Sequence, residues 1–166
     1  MQLEINHIIK TYKSKIYKTC LGFTGDSELA KDLLQEVSVN LWLGLSKFKG
    51  QANISTWVYR VTVNTCLMYK RKKRINTIDL TSIQELKTDA VTISDKDKLT
   101  SDLQLLHQFI TELPEKERLI IILYLEDISY KEIAEIVGDS SNYIGVKINR
   151  IKKKLTKKFE VANVNK

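Results

Sequence analysis

Hydrophobic and polar residues alternate with the period of an α-helix over most of the first 74 residues. Apolar side chains recur every three or four positions in three stretches, which predicts three amphipathic helices. The second helix carries a leucine stripe behind a cap at Asp26 or Ser27. The third is predicted to run from about Trp57 to Lys73, with a cap at Ser55 or Thr56. The three apolar faces are, in order, Leu3, Ile8, Ile9, Tyr12, Ile16, Cys20 and Leu21; Leu29, Ala30, Leu33, Leu34, Val37, Leu41, Trp42 and Leu45; and Trp57, Val58, Val61, Cys66 and Met68.

The helical period is lost after the third helix and returns near residue 101. Residues 75–100 are rich in Thr, Ser and Asp and have weak periodicity, which is typical of a linker. Four helical segments are predicted beyond it, of which Pro114 opens the second and Leu119–Leu125 is apolar enough to be buried. The last two lie on either side of Gly138. These last two segments cover Tyr130–Val137 and Asn142 to about Phe159. The apolar positions of the first, third and fourth segments are, in order, Leu103, Leu106, Phe109, Ile110 and Leu113; Ile133, Ala134 and Val137; and Ile144, Ile148 and Ile151.

The predicted fold is therefore all-α. Two small helical domains, at residues 1–74 and 101–166, are joined by the acidic linker 75–100. One proline and six glycines in 166 residues are too few for the frequent turns of a β-sandwich or barrel. A composition of 43% hydrophobic and 28% charged residues is that of a folded protein rather than a disordered one.

Neither cysteine indicates a metal site or a disulfide framework. Cys20 and Cys66 stand outside any CxxC or Cys/His cluster, so no cofactor is expected. No apolar run is long enough to span a membrane, and residues 1–10 lack the apolar core of a signal peptide. A cytoplasmic protein without membrane insertion is therefore expected.

The net charge of +7 is unevenly distributed. Residues 1–74 carry thirteen Lys and Arg against five Asp and Glu, residues 75–112 three against seven, and residues 113–166 eleven against eight. Two basic blocks around an acidic one indicate two modules, and basic blocks favour a polyanion such as nucleic acid. A lysine-rich surface that only keeps the protein in solution explains the composition equally well.

The strongest local motif is a helix-turn-helix. Ser129 and Glu132 form a predicted capping box, and Gly138 supplies the tight turn between the two helices. The second helix combines Asn, Arg and Lys on its outward face, which suits the major groove, because Arg pairs with guanine, Asn with adenine and Lys with phosphate. This motif favours DNA binding over an ordinary helical hairpin with a solvated basic face. The outward residues are Asn142, Gly145, Lys147, Asn149, Arg150, Lys152 and Lys153.

A second motif runs from Phe48 to Arg74. A polar loop leads into a helix with aromatic and amide side chains, and five consecutive basic residues follow. Aromatic rings and amides beside cations suit unstacked bases of single-stranded DNA. The alternative is that Trp57 belongs to the core and that the basic run is a solvated helix end, which the helix dipole favours. Without the helix-turn-helix module, this alternative is the favoured interpretation.

A third motif is the carboxylate pair Asp32 and Glu36, one helical turn apart beside Gln35. Acid–base catalysis is disfavoured because neither His7 nor His107 accompanies the pair, and no phosphate loop or nucleophile motif occurs. A protein-binding face is the favoured interpretation, and a solvated helix face is the alternative.

In this order, these stretches resemble a bacterial RNA polymerase sigma factor of the extracytoplasmic-function (ECF) type. Leu29–Val37 is similar to the signature of region 2. Phe48-Lys49-Gly50, Ser55–Val61 and Asn64 are similar to the promoter-melting segment. Leu113–Arg118 and Ile128–Gly138 are similar to region 4. The resemblance covers nearly the whole chain apart from the linker and the short tail.

The resemblance implies an initiation factor without enzymatic activity, which binds core RNA polymerase, directs it to specific promoters and helps to melt the minus-10 element. Asp32, Gln35 and Glu36 are implied to dock on the β′ coiled coil, and region 4 on the β-flap. An anti-sigma factor is a common partner in the family. The implied minus-10 residues are Phe48, Lys49, Gly50, Gln51, Ala52, Asn53, Trp57, Arg60, Asn64, Arg71 and Arg74. The implied minus-35 residues are Gly145, Val146, Asn149 and Arg150 at base edges and Arg118, Asn142 and Lys147 at phosphates.

The chain departs from the family pattern at Ser38 and Asp139, where apolar residues are usual, and at Gly145 and Val146, which offer less hydrogen bonding than the usual polar pair. Two other functions are kept as alternatives. A plain helix-turn-helix regulator predicts operator binding by the free protein. A nucleic-acid-modifying enzyme predicts loss of activity, but not of partner binding, when Asp32 or Glu36 is changed.

Overall fold

Helix is the regular secondary structure in the part of the chain that the structure describes. A computed structural model describes the backbone of residues 2–78 and 98–164 and the side chains of 4–75 and 101–164. The predicted all-α class is confirmed, and no strand occurs in these ranges. The helices are α1 (Gln2–Thr24), α2 (Ser27–Gly44), α3 (Ile54–Ile78), α4 (Lys98–Thr111), α5 (Glu115–Leu125), α6 (Tyr130–Val137) and α7 (Ser141–Val164), with a short 3₁₀ helix at Leu45–Lys47.

The chain forms two compact units, one built on α1 to α3 and the other on α4 to α7. Residues 79–97, which hold most of the predicted linker, lie outside the described residues. Helix occupies both flanks of the predicted 75–100 segment, because α3 continues to Ile78 and α4 begins at Lys98. Lys and Arg are good helix formers, so the basic run extends α3 beyond its expected end at Lys73.

The leucine stripe of α2 forms the centre of the first unit, as predicted. Ala30, Leu33, Val37 and Leu41 are buried and α2 packs against α3. The Asp26 carboxylate caps this helix by accepting hydrogen bonds from the backbone N–H groups of Glu28 and Leu29, at 2.8 and 3.0 Å.

Two residues predicted for this core are on the surface instead. Trp42 is 58% exposed and Met68 is 51% exposed. Two threonines, Thr62 and Thr65, are buried in α3. Their hydroxyls donate hydrogen bonds to the backbone carbonyls one turn earlier, those of Val58 and Val61, at 2.9 and 2.8 Å. A hydroxyl that bonds within its own helix is satisfied when buried, so these polar residues can lie in the core of α3.

The start of α3 also differs from the prediction. Its cap is Asn53, whose side-chain oxygen accepts from the Ser55 N–H at 3.3 Å and whose carbonyl accepts from Trp57 N–H at 3.0 Å. The helix therefore begins at Ile54, and the predicted cap at Ser55 or Thr56 was wrong.

The second unit surrounds α5, whose residues Leu119–Leu123 are all buried. Leu125 and Leu103 were predicted to be buried but are more than half exposed. Leu125 is the last residue of α5, and Leu103 lies on the exposed side of α4. Ile144, Ile148 and Ile151 turn the inner face of α7 toward this core, as the spacing predicted.

The helix-turn-helix formed by α6 and α7 is confirmed in its local detail. Ser129 and Glu132 form the reciprocal capping box at the start of α6. Gly138 ends α6 with φ of 77°, a left-handed conformation that favours glycine. Ser140 Oγ accepts a hydrogen bond from Tyr143 N–H at 3.2 Å and so caps α7.

Candidate nucleic-acid interface

The outward face of α2 is acidic at one end and apolar at the other. Asp32 and Gln35 are exposed, and Glu36 Oε1 lies 3.7 Å from Lys72 Nζ on α3. The pKa of Tyr69 on α3 is raised, first by burial and then by the negative charges of Asp32, Asp26 and Glu36. This face therefore carries a local negative potential.

Three exposed apolar residues continue this face and were not predicted as functional. Val39, Trp42 and Leu43 are each more than half exposed. They follow Gln35 and Glu36 by one to two turns, so they share the outward side of the helix. These three residues lie on the opposite side of α2 from the buried row Leu33, Val37 and Leu41. Their helical spacing alone could therefore have predicted an exposed apolar surface.

The polar loop at residues 49–53 is closed by an aromatic pair. The rings of Phe48 and Trp57 lie 4.9 Å apart at an interplanar angle of 35°, so the two residues on either side of the loop touch. Gly44 permits this packing, because a Cβ there would lie 3.2 Å from the Trp57 ring. Gly50 has φ of 68°, a conformation that favours glycine. Ala52 is half-buried. The other four loop residues are exposed, namely Lys49, Gly50, Gln51 and Asn53.

The outward face of α3 carries the rest of the predicted minus-10 residues. Arg60, Asn64, Arg71 and Arg74 are exposed and recur at helical spacing, so they lie on one side of α3. Met68 lies among them. The structure thus brings an amide, guanidinium groups and an exposed thioether onto the same surface that begins at the loop.

The outward face of α7 presents four of the predicted minus-35 residues. Asn142, Val146, Asn149 and Arg150 are exposed, opposite the buried isoleucines. Gly145 lies beside them, where a Cβ would be 3.6 Å from the ring of Tyr130.

Lys147 and Arg118 make contacts inside the protein instead. Lys147 Nζ lies 3.1 Å from Glu117 Oε1, and Lys154 Nζ lies 2.8 Å from Glu117 Oε2. Burial raises the pKa of Glu117, but the hydrogen bonds and charges of Lys154 and Lys147 outweigh it, so this pKa lies below its ordinary value. The Arg118 guanidinium donates to the backbone carbonyls of Thr111 and Leu113. Their assignment to DNA phosphates stays a prediction.

Comparison with known families identifies both units. The family model described as Sigma-70 region 2 matches residues 8–75, and the model described as Sigma-70, region 4 matches residues 103–155. The chain is 29% identical over 162 residues to the ECF RNA polymerase sigma factor SigW of Bacillus subtilis, which covers 92% of this chain and 87% of SigW. It is 29% identical over 145 residues to SigM of the same organism, which covers 83% of this chain and 84% of SigM.

The chain belongs to the ECF group of the sigma-70 family. The predicted ECF sigma factor is thereby confirmed, and the plain helix-turn-helix regulator is not supported. The region 2 match contains the α2 face, the 49–53 loop and α3 as far as residue 75. The region 4 match contains α6 and α7 as far as residue 155.

Two solved structures share the fold of this ECF sigma factor. The sigma factor RpoE of Bartonella quintana, in complex with the anti-sigma factor NepR, aligns with a TM-score of 0.68 at 20% identity, covering 96% of each chain. CnrH, in complex with the cytosolic domain of CnrY, aligns with a TM-score of 0.69 at 16% identity, covering 97% of this chain and 90% of CnrH.

Two further observations concern the described ranges. Among residues 4–75 and 101–164, no three His, Cys, Asp or Glu side chains are grouped so that they could hold a metal ion. The helices in the described part of the chain are not long and apolar enough to cross a membrane.

Proposed function

We propose that this ECF sigma factor docks on core RNA polymerase through the outward face of α2, and that the 49–53 loop, α3 and α7 hold promoter DNA. Residues 1–74 act as the polymerase-binding and melting domain and residues 101–166 as the minus-35 domain, joined by the linker 75–100. The chain has no enzymatic activity of its own and works in the cytoplasm.

The observation that carries this proposal is the exposed continuation of the α2 face. Trp42 is 58% exposed and belongs to a row with Val39 and Leu43, which continues the face that carries Asp32 about two turns earlier. Adjacent exposed apolar side chains mark a surface for a protein partner, and a tryptophan is the residue type most often decisive there. The resemblance assigns this helix to the β′ coiled coil, whose own helices would present a complementary ridge.

The loop closed by Phe48 and Trp57 supports capture of a base from the minus-10 element. Because the aromatic pair holds the two ends of the loop together, the loop loses less conformational freedom when a base enters. Asn64 and the guanidinium groups of α3 supply the amide and cations that a single strand needs. On this proposal Trp57 acts by packing on Phe48 and shaping the loop.

An apolar groove in the second unit supports docking of the β-flap. The groove has a volume of about 590 Å³, and its apolar walls come from Phe109, Leu113, Pro114, Val161 and Ala162. Glu112 and three lysines complete its lining, but Lys154 pairs with Glu117 and Lys158 with Glu112, so the apolar walls rather than the charges favour a partner segment. The three lysines are Lys154, Lys157 and Lys158. An anti-sigma factor is proposed as a further partner, since RpoE and CnrH are each seen in complex with another protein and RpoE's partner is an anti-sigma factor.

The proposal is tested by reconstituting the full chain with sigma-free core polymerase and mapping transcript 5′ ends on genomic fragments. Trp42→Ala is expected to weaken association with core at least tenfold, because a hot-spot tryptophan contributes about 2 kcal/mol or more. Leu125→Ala, which truncates an equally exposed apolar residue in the other unit, is the matched control. Asn149→Ala is expected to keep core binding and to lose promoter discrimination. Normal core binding by Trp42→Ala together with Asp32→Ala would refute the assignment of α2.

A further inference from the structure

Val146 occupies an unusual place on the recognition face of α7. It is 50% exposed, with the polar Asn142 one turn before it and Asn149 and Arg150 one turn after it. Scattered exposed valines are ordinary on protein surfaces. This one is an apolar side chain at the centre of the face that carries the hydrogen-bonding groups.

The two residues next to Val146 in the chain leave its side chain uncovered. Gly145 has no side chain, and the Tyr130 ring lies against its position. Lys147 Nζ lies 3.1 Å from Glu117 Oε1 and 5.6 Å from the centre of the Tyr143 ring, so this ammonium is held to the side of the helix. The isopropyl group of Val146 is therefore half exposed between a glycine and a lysine that turns aside.

Base edges in the major groove present hydrogen-bond donors and acceptors, with one apolar group among them, the 5-methyl of thymine. A valine has no donor or acceptor, so it can distinguish bases in that groove only through this methyl. We infer that Val146 reads a thymine of the minus-35 element by packing its isopropyl group against the 5-methyl. The inference rests on the proposed insertion of α7 into the major groove.

Asn149 makes this readout part of a larger one. It lies one turn beyond Val146 on the exposed face. Its amide has the donor and acceptor that pair with N6 and N7 of adenine. A valine and an asparagine side by side thus select A·T pairs, with the methyl contact choosing which strand carries the thymine at that pair.

The experiment uses the holoenzyme formed by the full chain and core polymerase, on a promoter found by mapping its transcript 5′ ends. Each thymine of the upstream element, on both strands, is replaced in turn by deoxyuridine, which removes the methyl and leaves the hydrogen-bonding edge unchanged. Affinity is measured by competition. One thymine is expected to show about a fourfold loss on replacement, the fold-change equivalent to ~0.8 kcal/mol for one buried methyl.

Variants connect that thymine to the valine. Val146→Ala is expected to weaken binding to unmodified DNA several-fold and to abolish the deoxyuridine effect at the same position, whereas Val146→Ile retains the effect. Val164→Ala, in the last turn of the same helix, is the matched control and should behave as the unaltered protein. Promoter-specific starts without any deoxyuridine-sensitive thymine, or a sensitivity that persists in Val146→Ala, would overturn the inference alone. Absence of discrete starts would overturn the placement of the chain on promoters and this inference with it.

Discussion

Replacing Glu117 by Gln is expected to destabilise the second unit without unfolding the first. The Glu117 side chain is 13% exposed and lies between Lys147 and Lys154, at 3.1 and 2.8 Å. Hydrogen bonds between charged groups contribute about 1.5–3 kcal/mol each, but the exposed half of Lys154 reduces its share through solvent screening. A glutamine keeps one acceptor, so the expected loss is about 1–2 kcal/mol.

Local hydrogen exchange measures this loss. Both tryptophans of the chain, Trp42 and Trp57, belong to the first unit, so their fluorescence reports its stability and should be unchanged. Amides of α5 and α7 should exchange about 5- to 30-fold faster in Glu117→Gln, the factor that corresponds to 1–2 kcal/mol. Glu160→Gln, on an exposed position of α7, is the control.

The effect of Glu117→Gln should also depend on pH. The pKa of Glu117 in the folded protein lies below its ordinary value of 4.5, so ionisation of this group favours the folded state. Its contribution is complete above the unfolded-state pKa and disappears as the pH falls through the lower, folded-state pKa. The exchange rates of the unaltered protein and of Glu117→Gln should therefore converge at acidic pH. Equal exchange rates at neutral pH, or a difference that persists unchanged into acid, would refute this account of the Lys147–Glu117–Lys154 cluster.

Three further predictions concern caps, turns and thiols. Ser129→Ala should lower the stability of the second unit by about 1 kcal/mol through loss of the capping box, seen as faster exchange of α6 amides; unchanged exchange would contradict the cap. Gly50→Ala should lower the urea midpoint of the first unit, measured by tryptophan fluorescence, by an amount equivalent to about 1 kcal/mol. The cause is backbone strain, because φ is 68° and the added Cβ would meet no atom within 4 Å. Gly50→Asn should cost less stability, and an equal loss for both variants would argue against strain. The pKa of the Cys66 thiol is raised, first by its hydrogen bond with Cys20 and then by burial, and both cysteines are buried. Both should therefore react with an aromatic disulfide reagent only when the first unit unfolds. Rapid reaction of the folded protein would contradict this.

The sequence was sufficient where structure depends on neighbours in the chain. The buried isoleucines of α7, the Asp26 cap and the Ser129–Glu132 box each depend on spacings of two to four residues. Spacings this short can be seen in the sequence itself. At these positions the local helix propensity and the tertiary packing favour the same structure. The helix-turn-helix was predictable for this reason.

Residues at the edge of an apolar stripe were harder to place. Trp42 and Met68 adjoin buried rows by one position in the helix, and hydropathy alone favours burying both. Thr62 and Thr65 are buried in α3 because their hydroxyls bond within the helix, and no apolar period can indicate that burial.

The orientation of long cationic side chains was not predictable either. Lys147 turns toward Glu117, thirty residues earlier in the chain, and the Arg118 guanidinium turns toward the carbonyls of Thr111 and Leu113. These partners come together only through the packing of α4, α5 and α7. A basic residue on a recognition helix is therefore a candidate for DNA contact until its partners within the fold are known.

Gly145 leaves room for a side chain beside Val146 on α7. A Cβ at this position would meet the Tyr130 ring at 3.6 Å, an ordinary contact, and the backbone there is helical. An alanine can therefore be added next to Val146 without rebuilding the domain. On the proposed function, one codon at this position changes the surface presented to the minus-35 element, while the α2 face that docks on polymerase, in the other unit, stays the same.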